Sequence, residues 1–100
     1  MDALGIRQRW TLTSTGRGTP VNAKGYPTWW TFYFATNATS TATINVETAM
    51  STSVAWATLG SRTLSTNDAA VVRVEGPLIM IAPRIEAMSS GTVTVEVVGN

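Results

Sequence analysis

Apolar and polar positions alternate with a period of two along most of this chain, the signature of strands with one buried and one exposed face. Residues 28–36, TWWTFYFAT, show it most strongly: Trp30, Phe32 and Phe34 share one face, and Trp29, Thr31, Tyr33 and Ala35 share the other. In residues 41–48, Ala42, Ile44 and Val46 oppose Thr41, Thr43, Asn45 and Glu47. Residues 69–75 set Val72 and Val74 against Arg73 and Glu75, and residues 92–98 set Val93, Val95 and Val97 against Thr94 and Glu96. Shorter runs predict strands at 9–13, where Trp10 and Leu12 share a face, and at 53–59, where Val54 and Trp56 alternate with Ala55 and Ala57 until Gly60 ends the run. Residues 62–64 read as a short edge strand. Residues 78–88 place Ile79, Ile81, Ile85 and Ala87 on one face and Arg84 and Glu86 on the other. Pro83 inside that run predicts a bend, a bulge or an edge, because proline cannot donate to a ladder.

Turn signals separate these runs at 37–40, 49–52, 65–68, Gly76-Pro77 and 89–91. Residues 14–27 hold three Gly, two Pro and an Asn, and read as one long loop of the kind that often carries function. Residues 1–8 have no clear period and read as an N-terminal arm, leaving residues 9–100 as a single domain. No helical period occurs. Some seven short strands at near-regular spacing predict an all-β, antiparallel sandwich or barrel.

Composition sharpens that picture. The chain of 100 residues contains 17 Thr and 8 Ser, and in most strands Thr fills the face opposite Val, Ile and Trp. It has 7 basic and 6 acidic residues, a net charge of +1, and no Cys or His. Disulfides, thiolate catalysis and cysteine or histidine metal sites are therefore excluded. A basic excess that would suit nucleic acid is missing, and the uncharged stretches are too broken by Thr, Ser, Asn and Gly to span a membrane. No apolar leader segment shows at the N-terminus. A Ser or Thr nucleophile would lack a base, and Lys24 is the lone lysine. Glu47, Glu75, Glu86, Glu96 and Asp68 could in principle pair as glycosidase carboxylates, but their positions read as a solvated face. Asn67-Asp68 reads as a turn rather than a calcium loop, and Gly16-Arg17-Gly18 lacks the ending of a phosphate cradle. The expectation is a non-enzymatic chain without metal or cofactor.

The Trp30, Phe32 and Phe34 face reads as core. The opposite face offers Trp29 and Tyr33, which could form a subunit interface, lie under the 14–27 loop, or stack on sugar rings. Arg73 and Arg84, near Glu75 and Glu86, read as cross-strand charges or as anchors for the carboxylates of a partner.

Residues 44–48 (INVET) and 56–60 (WATLG), then Gly76-Pro77, Arg84-Ile85 and SGTVTV at 90–95, resemble small β-sandwich domains of tailed-phage virion proteins. Capsid decoration (cement) proteins, head fibres and tail accessory modules are of this kind. These are turn and strand signals, so they speak to fold more than to role. Pro83 before Arg84 and the single Gly91 depart from the pattern, and residues 1–40 match none of it. The resemblance implies a jelly-roll-like sandwich of seven to eight strands. It implies a structural protein on the capsid surface, assembled in the host cytoplasm, that contacts the major capsid protein and itself as a homotrimer. The arm and loop would then supply Arg7, Arg17, Lys24 and Tyr26 to the contact, beside Trp29 and Tyr33. The alternatives are a carbohydrate-binding, adhesin-like sandwich using Trp29, Tyr33 and Tyr26, and a tail or head–tail accessory protein.

Overall fold

The computed structural model describes residues 6–23, 29–51 and 53–100, and these form nine strands and no helix. The strands are β1 (Ile6–Leu12), β2 (Gly16–Arg17), β3 (Val21–Asn22), β4 (Trp29–Thr36), β5 (Ala42–Ala49), β6 (Ala57–Leu64), β7 (Ala69–Glu75), β8 (Met80–Met88) and β9 (Val93–Gly99). Sheet A has the order β1-β9-β4-β7; in sheet B, β2 and β3 both pair with β8, followed by β5 and β6. All pairings are antiparallel. Counting β2 and β3 as one interrupted strand, the pairs nest: first with last, second with second-last, and so inward. That wrapping is the jelly roll, so the expected fold class holds.

The two inner faces meet in one core. Sheet A contributes Trp10, Trp30, Phe32, Phe34, Val72, Val93, Val95 and Val97; sheet B contributes Ala42, Ile44, Val46, Leu64, Ile81 and Ile85. Each buried aromatic removes on the order of 150–250 Å² from water, worth about 4–6 kcal/mol before entropy is subtracted. Both core indoles find acceptors: Trp10 Nε1 donates to the Thr19 carbonyl at 2.8 Å and Trp30 Nε1 to the Gly76 carbonyl at 3.1 Å. Close packing also needs absent side chains. A Cβ on Gly60 would lie 2.8 Å from Val72, where β6 meets β7, and one on Gly99 would lie 2.6 Å from the fully buried Trp30 ring.

Four expectations are corrected. The 14–27 segment contains β2 and β3, which find their partners on the distant β8. Residues 6–8, expected in the arm, begin β1 and pair with β9. Residues 53–56 are not a strand, and Gly60 lies inside β6 rather than ending it. Ile79 stands outside β8 and is exposed, and a register shift opposite Thr43 and Ile44 leaves Ala87 exposed while Ile85 stays in the core. Pro83 itself stays in register opposite Val46, and the irregularity lies between Ile85 and Ala87.

The two ends of the sandwich differ in chemistry. At one end the β4–β5, β6–β7 and β8–β9 turns are stitched by short hydrogen bonds. Asn67 N–H donates to the Asn37 carbonyl at 3.0 Å, Thr36 N–H to the Asp68 carbonyl at 3.0 Å, and the Ser89 and Ser90 hydroxyls to the Thr39 carbonyl at 3.1 Å. Asn67 holds φ of 50°, and Asp68 accepts from the Ser65 and Ala69 amides. Asn67-Asp68 is thus spent on its turn, as expected. At the opposite end the β5–β6 and β7–β8 connections carry Met50, Val54 and Ile79.

Candidate interaction surface

Strand parity decides what sheet A shows to solvent. With Trp30, Phe32 and Phe34 inward, β4 must turn Trp29, Thr31, Tyr33 and Ala35 outward. Register then aligns Arg7, Val98, Thr31 and Arg73 in one row across the sheet, and Arg9, Glu96, Tyr33 and Val71 in the next. Trp29 is 55% exposed, Tyr33 46% and Val71 41%. Four residues of extended chain put Trp29 and Tyr33 about 13–14 Å apart, while Tyr33 and Val71 are direct cross-strand neighbours. Arg9, Tyr33, Ala35, Ala69, Val71 and Glu96 border a shallow depression of about 360 Å³.

Arg7 lies on this same face. Arg7 and Arg9 both pair with Glu96, at 3.3 and 3.2 Å. Such exposed pairs contribute about 0–1 kcal/mol each, so they orient charge more than they stabilise. Arg73 and Arg84 form no ion pair with a described residue, contrary to the cross-strand expectation: register sets Arg73 opposite Thr31, and Arg84 opposite Arg17 and Asn45.

Arg17 is placed elsewhere. It belongs to sheet B, and its Nε donates to Glu47 Oε1 at 2.8 Å while its guanidinium lies 4.5 Å from the centre of the Trp56 ring. Glu47, expected on a solvated face, is only 5% exposed. Its parity is outward, but a register shift beside it and the Arg17–Trp56 stack remove it from water. The ion pair and cation–π contact tie β2, β5 and the segment before β6 into one unit. Lys24 and Tyr26 lie outside the described residues.

The structure therefore brings Trp29, Tyr33 and Arg7 onto one face and sets Arg17 apart. Val71 joins that face unforeseen, although it shares parity with Arg73 and Glu75 and so was the odd apolar residue on a polar side. A second patch was also missed. Ala49, Met50, Val54, Pro77, Leu78 and Ile79 border an apolar groove of about 530 Å³ at one end of sheet B, with Met50 75% and Ile79 48% exposed.

No family model and no curated protein matches the chain. Solved structures do. The SPBc2 prophage-derived protein YomS aligns with a TM-score of 0.57 at 16% identity, over 99% of this chain and 96% of that one. The Yersinia pseudotuberculosis-derived mitogen YPM gives 0.48 at 15% identity, over 95% and 85%. A chain from Bacillus endospore appendages, described as disulfide-linked pili, gives 0.42 at 10% identity, over 96% and 88%. At 16% identity the likeness to YomS is one of fold.

Proposed function

We propose that this chain is a non-enzymatic structural protein of a phage particle, a capsid decoration protein that self-associates, as a trimer, on the shell. The observation that carries the reading is the outer face of sheet A, where Trp29, Tyr33 and Val71 are each more than two-fifths exposed on one side of a small domain. Tyr33 and Val71 are direct cross-strand neighbours and Trp29 stands two rows away on the same face, and large exposed apolar side chains gathered on one side in this way suit a contact surface. The phage setting is supported by the sequence resemblance from residue 41 onward and by the fold shared with a prophage-derived protein. A surface of threonine and few charges suits contacts made by packing and hydrogen bonds, which salt weakens little. A standard interface takes about 800 Å² from each partner. The broad side of a molecule with extents of 37 × 32 × 17 Å has room for that.

The test is a Trp29→Ala, Tyr33→Ala double variant compared with the unchanged protein by gel filtration with light scattering. The expected result is loss of the multimer with an unchanged urea midpoint; a multimer of unaltered mass would reject this face. Mass spectrometry of purified particles should find the protein at high copy number, and its absence there would reject the virion role.

A second reading has one observation in its favour. Two exposed aromatic rings on a flat face, with Thr31, Arg73 and Glu75 between and beside them, could stack and hydrogen-bond a polysaccharide. Quenching or shift of tryptophan emission on titration with host polysaccharides would support it, and a flat response would set it aside.

A further inference from the structure

The outer edge of a sheet is a row of backbone donors and acceptors that another strand can use unless something blunts it. Four such edges bound this sandwich: β1 and β7 in sheet A, β2–β3 and β6 in sheet B. Three are blunted. β6 and β7 lie close together, where Gly60 leaves room for Val72 and Arg62 Nη2 donates to the Val71 carbonyl at 3.3 Å. β2 and β3 have two residues each, and Pro20 between them has no N–H to offer. β1 is different. It runs for seven residues, Ile6–Leu12, without Pro, Gly or a shift of register against β9. In an antiparallel pair alternate residues aim both N–H and C=O away from the neighbour, so about half of the β1 residues present both groups on the free side. Among the described residues, the β1 backbone receives outside its ladder with β9 one bond, from the exposed Gln8 Nε2 to the Arg9 carbonyl at 3.3 Å. An arriving strand replaces a local contact of that kind easily.

The side chains beside the edge say which strand it takes. Arg7 and Arg9 stand largely exposed on the outer face of β1 and share the Glu96 carboxylate, at 3.3 and 3.2 Å. Two guanidiniums on one carboxylate leave an excess of positive charge along the edge. A second β1 does not answer it. Antiparallel pairing of β1 with itself, in the registers centred on Gln8 or Arg9 that join most of the strand, sets Arg7 opposite Arg9 or Arg9 opposite Arg9. Like charges directly opposite are destabilising. An extended segment with carboxylates at two alternate positions meets both arginines and turns its intervening side chains toward Gln8 and Trp10. β9 already shows the pattern that β1 accepts on its other side: Glu96 lies opposite Arg9, with Val95 opposite Trp10 and Val97 opposite Gln8.

We propose that the free edge of β1 binds an extended acidic segment of another protein by strand addition. The backbone ladder supplies the affinity, and Arg7 and Arg9 select the partner. The charges that turn a second copy away are the ones that recognise the acidic strand. This goes beyond the self-association reading, because it needs no contact between copies.

The probe is a synthetic capped peptide as long as β1, with Glu at two alternate positions, Val between and beside them and Thr at the ends. Titrated into the full chain, it should bind about tenfold more tightly than the same peptide with Lys in place of Glu. Hydrogen exchange at the β1 amides should slow on binding. Two further peptides carry N-methyl groups on one or the other alternate set of amides. One set faces β1 and its methylation should abolish binding; the other faces away and its methylation should be tolerated. An Arg7→Glu, Arg9→Glu double variant should reverse the preference in favour of the Lys peptide. The neutral Arg7→Gln, Arg9→Gln pair, safer for folding beside Glu96, should bind both peptides equally, and urea midpoints confirm that each variant folds. No binding by the unchanged protein at about 1 mM peptide would overturn the proposal. Equal affinity of the unchanged protein for the Glu and Lys peptides, or like behaviour of the two methylated peptides, would also overturn it. Sedimentation of the protein without peptide reads self-association separately, so either reading can fail while the other stands.

Discussion

Arg17→Met isolates the most consequential charge in the fold. The substitution keeps an unbranched chain beneath Trp56 but strips Glu47 of the guanidinium 2.8 Å away. The Glu47 side chain is only 7% exposed, so its carboxylate would be left nearly dry. Breaking a fully buried pair costs about 3–5 kcal/mol. Arg17 keeps 30% of its own side-chain exposure, and water screens the pair from that side. A cost of about 2–3 kcal/mol follows, which for a domain of this size lowers Tm by roughly 8–24 °C. Adding Glu47→Leu removes the stranded carboxylate, so the double variant should be more stable than Arg17→Met alone. Urea unfolding read by tryptophan fluorescence measures both, with the slope checked for constancy. A loss for Arg17→Met below about 0.5 kcal/mol, within the range of an ordinary surface change, would mean that Glu47 does not depend on Arg17. So would a double variant weaker than the single one.

Two further substitutions probe the packing. Gly99→Ala must push a methyl into the buried Trp30 ring, 2.6 Å away, and should cost about 1–3 kcal/mol in the same unfolding assay, though alanine suits most strands better than glycine. Ser40→Ala should instead raise stability by about 1 kcal/mol, because the Ser40 hydroxyl is fully buried with no hydrogen-bond partner among the described residues; a loss of that size would mean the hydroxyl is satisfied.

Parity carried most of the fold. The β4, β5 and β9 alternations named the inward residues correctly because each strand has one wet and one dry face, and the Ser, Thr, Asn and Gly clusters marked the turns that close one end of the sandwich. Parity also put Trp29 and Tyr33 outside the core. It failed where a residue's surroundings come from far along the chain. Glu47 looked solvated because Arg17 lies 30 residues upstream and Trp56 packs back over it. β2 and β3 have too few residues to show a period, and they exist only because β8 offers an edge. The groove was hidden by treating Val54 and Ile79 as strand interior, when the chain there is leaving one strand and entering another. Exposed apolar residues in connections have no periodic signature, so only the folded arrangement gathers them.

The proposed self-association rests on large apolar side chains that the fold leaves outside its core. Sedimentation equilibrium of the unchanged protein at micromolar concentration reads it from mass alone. A molar mass three times that of the 10.7 kDa chain is the predicted result. A single species of 10.7 kDa across that range would contradict it.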